Sequence, residues 1–101
     1  MSRWQFTSLA EDDLFTIWAF IYKENAEAAD RVESAIYAAC DRLASNPLAG
    51  HVRAHLTPLP VRFWNVPRFP NYLIVYDPAS RPLTVLRILH GARDATRELQ
   101  R

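Results

Sequence analysis

An α+β fold is what this sequence predicts: an N-terminal short strand and an antiparallel helical hairpin packed on a small twisted antiparallel sheet, in the order β-α-α-β-β-β, with a short C-terminal helix. Three observations predict it. Two long runs before Gly50 repeat their apolar residues at helical spacing. After Gly50 the runs become short, β-branched and aromatic. Proline-rich turns separate those later runs. With 101 residues, half of them apolar, and two glycines, the chain is expected to form one domain over residues 1–101.

Trp4-Gln5-Phe6 alternates as a short first strand does. Ser8 followed by Glu11 matches a capping box, in which each side chain satisfies a backbone N–H of the new helix. Leu14, Ile17, Trp18 and Ile21 then define an amphipathic helix from Leu9 to about Lys23, with Asp12 and Asp13 placed to favour its dipole. Asn25 can cap a second helix whose buried stripe is Ala29, Val32, Ile36, Ala39, Cys40 and Leu43. Asn46-Pro47 ends that helix, because the residue before proline avoids the α region. Val61 to Val66, Asn71 to Tyr76 and Leu83 to Leu89 read as three strands, the last two joined by a turn over residues 77–82. Asp94 to Gln100 reads as the terminal helix, capped by Asp94. Neither layer can bury its apolar side alone, so one sheet face must cover the hairpin. The other face would then lack a partner within the chain and serve as a binding surface.

Charge is unevenly spread. Up to Gly50 there are four cations against eight carboxylates; from His51 onward there are eight cations, all arginine, against three carboxylates. Arginine's planar fork grips carboxylate or phosphate bidentately, which suits an anionic partner; solvation of the sheet with local pairing to the acidic helices is the plainer alternative. Cys40 is the single cysteine, so no internal disulfide can form and a reducing compartment is expected. No apolar run reaches the roughly 20 residues that span a bilayer. The expectation is a cytoplasmic protein without a membrane partner.

On regular alternation Arg87 shares a face with Val85 and Leu89, while Arg62 shares one with Trp64 and Val66. If those faces coincide on the open side, Arg62, Arg87 and Arg93 form a basic site on an apolar floor. Alternatively Arg87 pairs with a helix carboxylate such as Glu98. His90 could act as a general base or simply hydrogen-bond a turn, and Gly91 would allow a sharp strand-to-helix connection. Arg93 and Asp94 could form a local ion pair. His51 and His55 have helical ligand spacing, but Gly50 and Pro58 place them in a loop. No metal site or cofactor is expected there. The sequence contains no phosphate-binding glycine loop, nucleophile elbow or paired-carboxylate motif.

Several strings carry a family resemblance. They are Ala10-Glu11-Asp12-Asp13-Leu14 with Ile17, Ala28-Ala29-Asp30-Arg31, Leu43 with Asn46-Pro47 and Gly50, Val61-Arg62-Phe63-Trp64, Tyr72-Leu73-Ile74-Val75-Tyr76, and Arg87-Ile88-Leu89-His90-Gly91-Ala92-Arg93-Asp94. Together they cover nearly the whole chain, and it resembles the ParE branch of the ParE/RelE toxin superfamily. The resemblance implies a toxin of a type II toxin–antitoxin system that inhibits DNA gyrase without itself being a catalyst. It also implies a cognate antitoxin that wraps an extended or helical segment around the toxin. Target or antitoxin contacts would fall on Arg62, Trp64, Val85, Arg87, Leu89 and Arg93. The RelE branch instead implies ribosome-dependent mRNA cleavage, with Arg62 and Arg87 supporting the phosphate and His90 as the sole conventional base. Against that branch, the only lysine is Lys23 and no tyrosine follows Tyr76. A non-toxic binding module retained with its antitoxin is the third reading. Direct contact with nucleic acid is left open.

Overall fold

The computed structural model describes residues 3–91 together with Asp94 and Arg97. Its elements are β1 (Trp4–Phe6), α1 (Ser8–Tyr22), α2 (Ala26–Ser45), β2 (Arg62–Val66), β3 (Phe69–Asp77) and β4 (Leu83–His90). The terminal helix expected over 94–100 falls largely outside the described residues. Asp94 and Arg97 are helical and form an ion pair at 3.0 Å; Arg93 and Glu98 lie outside the description.

Each helix begins at a side-chain cap. The cap of α1 is Thr7, not Ser8: the Thr7 hydroxyl accepts from the Ala10 N–H at 3.1 Å. The shift has a tertiary cause. Thr7 N–H donates to Val85 O, and its hydroxyl donates to Leu86 O at 2.8 Å, so the residue is already held against β4 where the helix starts. Asn25 caps α2 as expected, accepting from Ala28 N–H at 3.0 Å. All six residues of the expected α2 stripe are buried, and the helix stops at Ser45 with Asn46 as its C-cap.

The four-stranded sheet has the order β1-β4-β3-β2. β2, β3 and β4 form the expected antiparallel meander, and β1 adds to β4 in parallel, which makes the sheet mixed. A parallel neighbour needs a long crossover, and the helical hairpin with β2 and β3 supplies it. Leu14 and the α2 residues Val32, Ile36, Ala39, Cys40 and Leu43 pack on one sheet face with Ile74, Tyr76, Leu83, Val85 and Ile88.

The far face is not left open. Leu56 and Val61, from the segment between α2 and β3's partner strand, cover Phe63, Leu73, Val75 and Leu89 in a second core. A two-way backbone bridge between His51 and Phe63, at 2.9 and 2.8 Å, pins that segment to β2. The expected unpartnered sheet surface is therefore corrected: proline-bounded chain that reads as a loop folds back as its cover.

Candidate interaction surface

Register determines where the sequence-selected side chains go. Arg87 pairs with Val75 while Val85 pairs with Tyr76, so Leu86 is an extra residue that bulges β4. The bulge breaks the alternation on which a shared face for Val85, Arg87 and Leu89 depended. Val85 is fully buried in the helix-side core, and Leu89 lies in the core on the opposite face.

Arg87 is neutralised within the chain. Its Nε and Nη2 donate to Oδ2 and Oδ1 of Asp13 at 2.8 and 3.0 Å, and Ile88 N–H also donates to Asp13 Oδ2 at 2.9 Å. Glu98 lies outside the described residues, but a helix carboxylate does pair with Arg87: Asp13, from the first turns of α1. The reason is local: past Val85 the outer edge of β4 has no strand neighbour, and α1 supplies Thr7 and Asp13 in place of one.

Arg62 is at the other end of the sheet order, on edge strand β2. Its Nη1 donates to Gly50 O at 2.8 Å and Leu48 O at 3.4 Å. Nearby, Tyr76 Oη accepts from Gly50 N–H at 2.9 Å and donates to Pro47 O at 2.6 Å. A Cβ at Gly50 would meet Tyr76 Oη at 2.5 Å and Phe63 O at 2.9 Å, so this close approach requires glycine. Trp64 packs against the helix-side core beneath the Arg42 guanidinium, 5.7 Å from the ring centroid. Arg62 and Arg87 thus do not assemble into one basic site, and Arg93 is outside the described residues.

The histidines are likewise distributed. His90 is exposed and lies edge-on to Tyr72, with ring centroids 5.0 Å apart. Arg53 Nη2 is 3.0 Å from His51 Nε2. A guanidinium can only donate, so Nε2 accepts and the neutral ring carries its proton on Nδ1. Partial burial and the Arg53 charge both hold the His51 pKa below the ordinary histidine value. Among the described residues no group of three His, Cys, Asp or Glu side chains could hold a metal ion. Nor is any helix among them long and apolar enough to cross a membrane.

Exposed aromatic surface lies on the helical hairpin, where sequence reasoning did not place it, and Leu48, Val52 and Leu59 expose aliphatic surface on the segment between α2 and β2. Phe15 is 63% exposed, Phe20 73%, Tyr22 48% and Tyr37 38%. Trp18, assigned from spacing to the buried stripe, sits at its margin. It stacks between Phe15 and Tyr22 at centroid distances of 6.4 and 4.6 Å, and its Nε1 donates to Asp30 at 3.1 Å. The legible signal was the i, i+3, i+7 aromatic series Phe15, Trp18 and Tyr22, which flanks the aliphatic stripe instead of extending it.

A family model described as the ParE toxin of the type II toxin–antitoxin system parDE matches residues 5–95. Comparison with curated protein sequences finds no match. Among solved structures, a chain of the chromosomal ParDE toxin–antitoxin system from P. aeruginosa superposes with a TM-score of 0.73 at 20% identity. The match covers 89% of this chain and 99% of that one, and shows a shared fold.

Proposed function

Because the chain belongs to the ParE toxin family of type II toxin–antitoxin systems, we propose that it is a cytoplasmic inhibitor of DNA gyrase, held inactive by a cognate antitoxin. The observation that carries this reading is the family match over residues 5–95, on a fold shared with a chain of a ParDE system. The internal contacts of the arginines favour inhibition over RNA cleavage. A ribonuclease needs a base, an acid and cations aimed at a developing phosphate charge. Here the Arg87 fork is occupied by Asp13, Arg62 donates to main-chain carbonyls, and His90 packs on Tyr72.

Purified chain should abolish gyrase supercoiling while leaving ribosome-bound mRNA intact. Cut message with undisturbed supercoiling would refute the proposal in favour of the RelE-like alternative. Expression alone should arrest growth, and co-expression of the antitoxin should restore it. Harmless accumulation of folded chain would instead support the non-toxic module.

A further inference from the structure

Between β1, α1 and α2 lies a hollow of ≈ 470 Å³ lined by Phe6, Phe15, Trp18 and Tyr37 with Glu11 and Glu33, above Leu14. Every charged residue in this lining is a carboxylate, and neither glutamate belongs to an ion pair among the described residues. The rings are held from outside the hollow. Tyr37 stacks on Trp4 at 5.5 Å, and Trp18 is fixed by Tyr22 and by its bond to Asp30. Aromatic faces carry negative quadrupole density, so preset rings flanked by carboxylates attract a cation that has apolar neighbours. An anion would meet repulsion there.

We propose that this hollow receives a lysine or arginine side chain carried on an otherwise apolar segment of the antitoxin. The inference rests on the toxin–antitoxin reading above and adds where and by what chemistry the two chains meet. The volume lies within the range of sites that enclose drug-sized ligands, so it admits the cation together with flanking apolar groups. Exposure argues for the antitoxin over the target. Phe15 at 63% and Tyr37 at 38% form an apolar lip that would promote aggregation if bare, and only a long-lived partner keeps it covered.

The test is titration of the full chain with the full-length antitoxin encoded beside it, at low and moderate salt. Glu11→Gln combined with Glu33→Gln, which preserves shape, should weaken binding about tenfold. Phe15→Ala, at an exposed position, should weaken it similarly. Glu11→Lys with Glu33→Lys should weaken it further, with recovery when one antitoxin lysine or arginine is changed to glutamate. Gyrase inhibition by the free variants should stay at the wild-type level. Undiminished antitoxin affinity in folded variants overturns the pocket alone. So does loss of gyrase inhibition at unchanged antitoxin affinity, which would give the hollow to the target. A wild-type pair that fails to associate overturns both the pocket and the functional reading.

Discussion

Both oxygens of Asp13 are committed, Oδ1 to Arg87 Nη2 and Oδ2 to Arg87 Nε and Ile88 N–H. The side chains of the pair are only 20% and 16% exposed, so water substitutes poorly for either partner. Asp13→Ala should therefore cost about 2–3 kcal/mol, measured by urea denaturation, since it removes two bonds from a largely buried guanidinium and one from a strand-edge N–H. Arg87→Glu should cost at least as much, because it sets two carboxylates together. A loss of toxicity in that variant would thus report unfolding unless stability were measured beside it. Cys40 offers a residue-scale test of a different kind. Burial, with a smaller contribution from Asp41, pushes its thiol from 9.0 up to about 12. The folded chain then holds this proton more tightly than the unfolded one. The stabilisation is complete below pH 9 and is lost as pH rises toward about 12. Burial also raises the Tyr76 hydroxyl, although Gly50 N–H and Arg62 oppose it, which steepens the same alkaline decline. The urea midpoint should fall from pH 9 upward, and Cys40→Ala should flatten that fall. An equal slope in the two proteins would contradict the assignment.

At the scale of elements, the caps of α1 and α2 differ in what else they hold. Asn25 accepts one N–H, whereas Thr7 caps α1 and also donates to Leu86 O in the bulge of β4. Thr7→Ala should therefore cost about 2 kcal/mol and Asn25→Ala about 1 kcal/mol in chemical denaturation; equal losses would show that the strand bond adds nothing. The same contrast explains what was legible in advance. The α2 stripe was readable residue by residue because helical periodicity is local and repeats over several turns. The three later strands were readable because turn residues bound them. By contrast, the three-residue β1 carries too little pattern to name its neighbour, and its parallel pairing with β4 depends on how the hairpin crosses over. The bulge at Leu86 was invisible because Leu86-Arg87-Ile88-Leu89 reads as ordinary alternation. Only pairing with β3 and the demand of Asp13 for two donors reveal the extra residue. The expected common face for Val85, Arg87 and Leu89 failed for that reason, because it depended on unbroken alternation. Trp18 failed differently, since one position at the edge of a helical stripe can face core or solvent at nearly the same spacing.

Over the whole molecule, the apolar residues divide into two cores on opposite sides of one sheet. The helices make the larger. The smaller depends, among the described residues, on Leu56 and Val61, 4% and 6% exposed, lying over Phe63, Leu73, Val75 and Leu89. The segment that carries them contains Pro58 and Pro60 and is tied down through His51 and Phe63. With the sheet covered on both sides, the exposed aromatic residues gather on the acidic helical half, while Leu48, Val52 and Leu59 stay exposed on the segment that leads to β2. Selective opening of the smaller core tests this division. Leu56→Ala removes a buried side chain that belongs to the smaller core, so the expected cost is about 2–4 kcal/mol, with the helices left folded. Far-UV circular dichroism should keep its helical signal. An apolar dye should bind the uncovered strand face, and amide exchange should accelerate at Phe63 and His51 before it does in α2. If the helical signal instead collapses in step with dye uptake, the two cores behave as one cooperative unit and the segment over residues 51–61 is more than a cover.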